Sequence, residues 1–290
     1  MTLLPATRPL EKFSLTSPLG IRFWDVGANC PVLGGLIVTA TAPHGQVLRA
    51  VQTSSGGYAF PSLPNIRREP VAPDVDYFFA PPTPVRFLLE VEDPAGRFLP
   101  AHFTVNAPVQ GFYSLPGPTR GWPGGYVPLF STPGRVALSG RAIIRAQLRD
   151  ATHGRAAAWA VLEAEVGTGA DAVRARGVAE PGEGAVVIFL PYPESNDGVA
   201  ESPPHPPRNL TDQTWPVRLT VQYEPDASPP FRPGTVPLLE RVLSQRGGTL
   251  LDLLSPAHPW PGAALRFGTD LIVRGAGSPP SATLFVQPFV

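Results

Sequence analysis

The sequence predicts an all-β chain arranged as two tandem β-sandwich domains, and three observations lead there. First, 39 prolines and 29 glycines punctuate the 290 residues throughout, and proline inside a helix loses a hydrogen bond and clashes with the preceding turn, so little room is left for long helices. Second, short runs of β-branched and bulky residues recur between turn signals at intervals of about 8–12 residues, the spacing of a sandwich rather than of alternating helices and strands. Third, the order of those runs in the first half returns in the second. With 43% apolar and 16% charged residues, the chain can still bury two cores. Its length suits two ordinary domains, and the divisions fall at an N-terminal arm (1–18), a first sandwich (19–112), a Pro/Gly-rich linker (113–133) and a second sandwich with a C-terminal extension (134–290).

In order along the chain, residues 20–25 give a short strand signal. Leu36, Ile37, Val38 and Thr39 follow, bounded by Gly and Pro as a strand should be. A return strand is expected over 46–53, then a turn at Ser54, Ser55, Gly56 and Gly57, and then Tyr58 to Phe60, stopped by Pro61 and Pro64. Residues 84–94 read as a longer strand, turning through Asp93 to Gly96 into another over 97–105. Residues 111–133 hold little that forms a regular element. Beyond the second core, 238–254 has partial helical spacing interrupted by Gly247 and Gly248, and 265–274 and 282–287 read as two last strands.

The repeat is visible residue by residue. Asp25 to Pro64 and Asp150 to Pro191 enclose nearly equal lengths, each containing an apolar run, a Gly-rich turn and a second apolar run. After each proline comes a loop and then a strand opening on Pro-Val-Arg: Pro84, Val85, Arg86 in one copy and Pro216, Val217, Arg218 in the other. Both strands end at an acidic residue and a proline. Four matches in the same order argue for an internal duplication. If it holds, Val85, Phe87, Leu89 and Val91 share one buried face, and Val217, Leu219, Val221 and Tyr223 another.

Chemistry-bearing patterns are sparse. Twenty-three basic and twenty-three acidic residues cancel, with no like-charge block. Nucleic-acid affinity scales with phosphates neutralised, so no nucleic-acid partner is expected. Cys30 stands alone, so neither an internal disulfide nor a cysteine metal site forms. The first residues lack a basic region followed by an apolar run, and no stretch approaches the ~20 apolar residues of a membrane span. Cytoplasmic synthesis without a signal peptide, and no membrane partner, are the expectation. The histidines, His44, His102, His153, His205 and His258, are far apart and read as exposed loop residues. Phosphate loops, dinucleotide fingerprints and nucleophile elbows are missing, so catalytic, cofactor and metal residues are all expected to be none. Glu90 with Glu92 and Glu163 with Glu165 each share a strand face, which reads as solvated surface. Asn209, Leu210 and Thr211 have the form of a glycosylation acceptor. Trp122, Tyr126 and Trp260 are the candidate interaction residues, because a loop aromatic can stack on a ligand.

The run from Pro31 to Ala40, followed by Thr53, Ser54, Ser55, Gly56, Gly57, Tyr58, Ala59, Phe60 and then Leu63 and Pro64, resembles the carboxypeptidase-regulatory-like, or transthyretin-like, domain. The likeness covers about 20–105 well and 140–225 loosely, where Val186 replaces the aromatic after the turn. It implies immunoglobulin-like sandwiches used as stability or interaction modules, with no catalytic residues. The texture of the whole chain, including Leu284 to Pro288, also resembles proline-rich accessory proteins of phage-tail-like contractile injection particles. The expected function is a non-enzymatic structural or adaptor subunit, in a baseplate, collar or outer layer of a particle that is released from the cell. Its expected partners are other subunits, copies of itself included. Proline-rich arms at 1–18 and 194–207 would add contacts at modest entropic cost. The alternative is a cell-surface or carbohydrate-binding adhesion module.

Overall fold

The computed structural model describes residues 17–66, 83–109, 111–117, 121–193, 210–225, 236–254, 257–275 and 283–289. The expected arms, His205 and Asn209 fall wholly or mostly outside this set. The chain is nearly all-β. Its first half runs β1 (Leu19–Ile21), β2 (Phe23–Asp25), β3 (Cys30–Val32), β4 (Ile37–Thr41), β5 (Val47–Arg49), β6 (Val51–Gln52), β7 (Tyr58–Phe60), β8 (Val85–Glu92), β9 (Ala101–Ala107) and β10 (Val127–Leu129). The second runs β11 (Arg141–Asp150), β12 (Val161–Val166), β13 (Val173–Val178), β14 (Ala185–Pro191), β15 (Thr214–Gln222), a single-turn helix α1 (Leu239–Leu243), β16 (Gly247–Leu254), β17 (Ala257–Pro259), β18 (Ala263–Arg266), β19 (Leu271–Ile272) and β20 (Thr283–Pro288).

The two halves share part of a pairing scheme, although the strands of the second form one continuous ten-stranded sheet in which β16 pairs with both β15 and β20. In the first, one layer has the order β5-β4-β8-β9; in the second, β13-β12-β15 continues to β18 and β16. Val38 pairs with Val91 and Ala40 with Leu89, while Leu162 pairs with Val221 and Ala164 with Leu219. In the other layer, β1 lies antiparallel to β7 and β2 lies parallel to β10. In the second half one long strand does both jobs, since β11 lies antiparallel to β14 and parallel to β20. The strands opening near Pro84 and Pro216 thus hold equivalent places. Their alternation is as the period of two requires: Phe87, Leu89, Val91, Val217, Leu219, Val221 and Tyr223 are buried, and only Val85 is half-buried. Arg86 and Arg218 are exposed.

Apolar side chains from both layers of the first half meet in one core. Leu19, Ile21, Phe23 and Phe60 supply one side, Phe87, Leu89, Phe103 and Val105 the other. The second half builds its own core from Ile144, Leu148, Leu162, Ile188, Leu190 and Leu284.

Residues 113–133 are not a tether. Tyr113 and Leu115 are buried, β10 lies beside β2, and Phe130 joins the first core. Pro128 inside β10 hides this strand from a sequence reading, since proline removes a ladder donor. Nor do the halves separate cleanly: Trp159, Val161, Val178, Leu239 and Val242 of the second belong to the first core. The α1 residue Glu240 accepts from Thr104 N of β9 at 3.0 Å, and Arg141 donates to the Ala28 carbonyl at 2.8 Å.

Candidate functional site

Along this seam opens a cleft of about 960 Å³. Trp24 and Val26 of the first half, Trp122 and Pro123 of the intervening segment, and Phe189 and Pro191 of β14 supply its apolar walls. Its polar lining is Asn29, Arg141, Glu163, Arg174 and Arg176. Glu163 and Arg176 are paired across β12 and β13 with Nε to Oε2 at 2.6 Å, and Arg174 pairs with Glu165 at 3.0 Å. The two glutamates sit opposite two arginines in strand register, a complementary cross-strand ladder. Arg141 has no carboxylate partner among the described residues, and its hydrogen bond goes to a backbone carbonyl.

The predicted interaction aromatics do not converge on one surface. Trp122, expected on an exposed linker, is only 8% exposed, and its indole N–H is buried with no partner among the described residues. Tyr126 packs edge-on against Trp24 at 5.2 Å between centroids, and the Arg22 guanidinium covers its ring at 4.4 Å and that of Phe112 at 4.1 Å. Trp260 stands half-buried in a separate recess of about 460 Å³ with Glu165, Thr168 and Arg218.

Three buried aspartates were not legible as a group. Asp25 receives both Nη atoms of Arg135, one at 2.8 Å, and caps the following turn through Ala28 N at 2.9 Å. Asp150, fully buried, accepts from Thr152 N at 2.7 Å and from the Tyr223 hydroxyl at 3.0 Å, with His153 Nδ1 at 2.9 Å. Asp252 faces His258 Nδ1 at 3.0 Å. Of the histidines read as bare loop residues, His153 and His258 therefore partner buried carboxylates. His102 lies half-buried on β9 near Glu90, where burial pushes its imidazole down, against the pull of Glu90 and Glu92. Burial pushes the Asp150 carboxyl up, but its hydrogen bonds from His153, Thr152 and Tyr223 outweigh that and hold it below the usual carboxylate range. The Tyr223 hydroxyl is pushed far up by burial and then by Asp150. Cys30 is exposed, and partial burial followed by Asp25 push its thiol up, the opposite of an activated nucleophile. Among the described residues no group of three or more His, Cys, Asp or Glu side chains is gathered for a metal, and no helix is long and apolar enough to cross a membrane.

A second surface lies on the side of the first sandwich. Residues 47–52 pass from one layer to the other, pairing with β4 through β5 and with β7 through β6. No described strand pairs with their other side. Val47 and Val51 are 60% and 57% exposed. Beside them, Leu33 is 68% exposed and is tied to this strand by Gln52 Nε2 donating to its carbonyl at 2.6 Å.

No protein-family model, curated protein or solved structure matches the chain.

Proposed function

We propose that the protein is a structural or adaptor subunit, whose two halves are tandem immunoglobulin-like modules of transthyretin-like type and whose work is to hold other protein subunits. The observation that carries this reading is the open side of the first sandwich. Leu33, Val47 and Val51 expose large apolar side chains beside a strand whose outer edge no described strand pairs. Soluble proteins blunt such edges with charge, proline or bulges unless a partner covers them. Here the only charge on the strand is Arg49, which stands between the two valines. A self-pairing centred on Arg49 would oppose like charges, so a strand with an acidic residue between two apolar ones fits this edge better. The part of the pairing scheme that the halves share supports a duplicated module with a scaffolding role. The kind of assembly comes from the sequence resemblance to accessory proteins of contractile injection particles.

The test is hydrodynamic. The full chain, purified from its native cell, is expected to sediment in a complex of defined stoichiometry. Val47→Asp with Val51→Asp should release it as a folded monomer, since exposed substitutions shift stability by only about 0.5 kcal/mol. A wild-type protein that is strictly monomeric in the native extract would end this reading.

A further inference from the structure

β15 changes partners along one side. Residues 214–217 pair with β18, Val221 and Gln222 pair with β16, and no described strand pairs with that side of Arg218, Leu219 and Thr220. The recess at Trp260 lies beside this break: residues 216–219 border it, together with the β17–β18 connection at 260–262 and the turn after β12 at 167–169. Both connections are tied to strands, since Trp260 N donates to the Leu250 carbonyl at 3.0 Å and Gly167 N to the Pro216 carbonyl at 3.0 Å. Its volume of about 460 Å³ is that of a pre-formed site for a small ligand.

The side chains give the recess its chemistry. Trp260 packs against the second core and also borders the recess, so the fold holds its indole in place. Arg218, exposed on β15, has no carboxylate partner among the described residues: Glu165 stands opposite it in strand register but bonds to Arg174 at 3.0 Å. Thr168 is exposed, and its hydroxyl caps nothing in the short turn of helix that it precedes.

We propose that this recess binds a glycan through a uronic acid unit, with the apolar face of the pyranose on Trp260 and the carboxylate on Arg218. An indole joins an apolar face to a hydrogen-bonding edge, which matches the C–H face and hydroxyl rim of a sugar. The guanidinium fork suits a carboxylate, and Glu165 and Thr168 supply acceptors for ring hydroxyls. A polyphosphate fits less well, because the Glu165 carboxylate beside Arg218 repels a second negative charge. A proline-rich peptide also fits less well, since such segments dock in aromatic-lined grooves, and Trp260 is the one aromatic bordering the recess among the described residues. The recess is separate from the open side at Leu33, Val47 and Val51, so either can fail alone.

The experiment uses the full chain with tetrasaccharides of galacturonate, glucuronate and mannuronate, each beside its methyl ester, in which the ring is kept and the charge removed. Calorimetric titration should show saturable binding of at least one acid and weaker binding of its ester. Arg218→Ala should weaken the acid about tenfold, as a lost charge pair does, and leave the ester unchanged. Trp260→Ala should abolish both, and Arg86→Ala should change neither. Hydrogen exchange should slow at 167–169 and 260–262 when the acid is bound. Should Trp260→Ala fail to fold, the exposed Arg218→Ala still decides. No saturation by any of the three acids up to about 1 mM overturns the proposal. So does an acid affinity that Arg218→Ala leaves intact, or protection confined to other segments. Equal binding of acid and ester that still requires Trp260 would overturn the uronic acid and make the ligand a neutral glycan. A proline-rich peptide that protects 260–262 where no saccharide does would reassign the recess to a peptide.

Discussion

Buried carboxylates are the chemistry this chain invests in its strand ends. Asp25 and Asp150, landmarks of the repeat in the sequence, end the three-residue β2 and the ten-residue β11, and each accepts from the turn that follows. Asp93 does the same after β8, accepting from Arg97 N at 2.7 Å and from the Arg97 side chain. Burial alone would raise the carboxyls of Asp93 and Asp150; the hydrogen bonds of Arg97 in one case and of His153, Thr152 and Tyr223 in the other prevail and lower them. A depressed folded-state value means stability that is present above the unfolded value near 3.9 and is lost as pH falls through the folded one. Denaturant titrations should therefore show stability falling below about pH 4. Asp150→Ala leaves the Tyr223 hydroxyl, in a side chain only 2% exposed, without its acceptor. At neutral pH it should cost about 2–4 kcal/mol, the size expected when a buried hydrogen-bonded charge is removed. The gap to wild type should narrow in acid; a gap independent of pH would mean that the carboxylate is not what holds the turn.

At the scale of elements, alternation was the readable signal. β8 and β15 could be placed and assigned a buried face from sequence because β15 reads apolar-polar from Val217 onward and β8 does so except at Leu88, which leaves one face to the core. Leu89→Ala and Val221→Ala should each cost about 2–4 kcal/mol by opening a core cavity, whereas Arg86→Ala should stay within about 0.5 kcal/mol. Chemical denaturation of the three variants checks this, and equal costs would show that the faces are wrongly assigned. Strands without alternation escaped. β13 carries arginines, alanine and glycine rather than an apolar run, yet the Glu163/Glu165 and Arg174/Arg176 spacings are in phase and could have announced the pair. The leucines of 238–254 read partly as helix, but only Leu239–Leu243 is helical. Gly247 and Gly248 open β16 instead of breaking a helix, because Gly248 lies so close to the Gln287 carbonyl that a Cβ would sit 3.0 Å from it. The cleft was invisible for a different reason: its walls come from residues more than a hundred positions apart, and no local pattern links Trp24 to Arg174.

For the whole molecule, the seam decides how the halves behave. Trp159 marks its centre. This tryptophan adopts a φ of +64°, a left-handed conformation costly for a bulky residue, and is only 5% exposed. Its backbone is held by Trp159 N donating to the Ala179 carbonyl at 3.0 Å and by Gln245 Nε2 donating to the Trp159 carbonyl at 2.8 Å. Its ring packs in the first core although it belongs to the second half, beside Leu239 and Val242 of α1. Strain of about 1–3 kcal/mol persists only where the surroundings over-determine it, so unfolding the first half would remove the ring contacts that compensate it in the second. Two beads on a linker would melt separately; halves joined in this way should melt together. Scanning calorimetry should give one transition with calorimetric and van't Hoff enthalpies in agreement. Trp159→Ala should lower that single midpoint, at a cost of about 3–5 kcal/mol for a deleted buried aromatic. Two resolved transitions in the wild type, with Trp159→Ala moving only one of them, would show that the seam is a contact between independent domains and that the cleft along it can open and close without unfolding either.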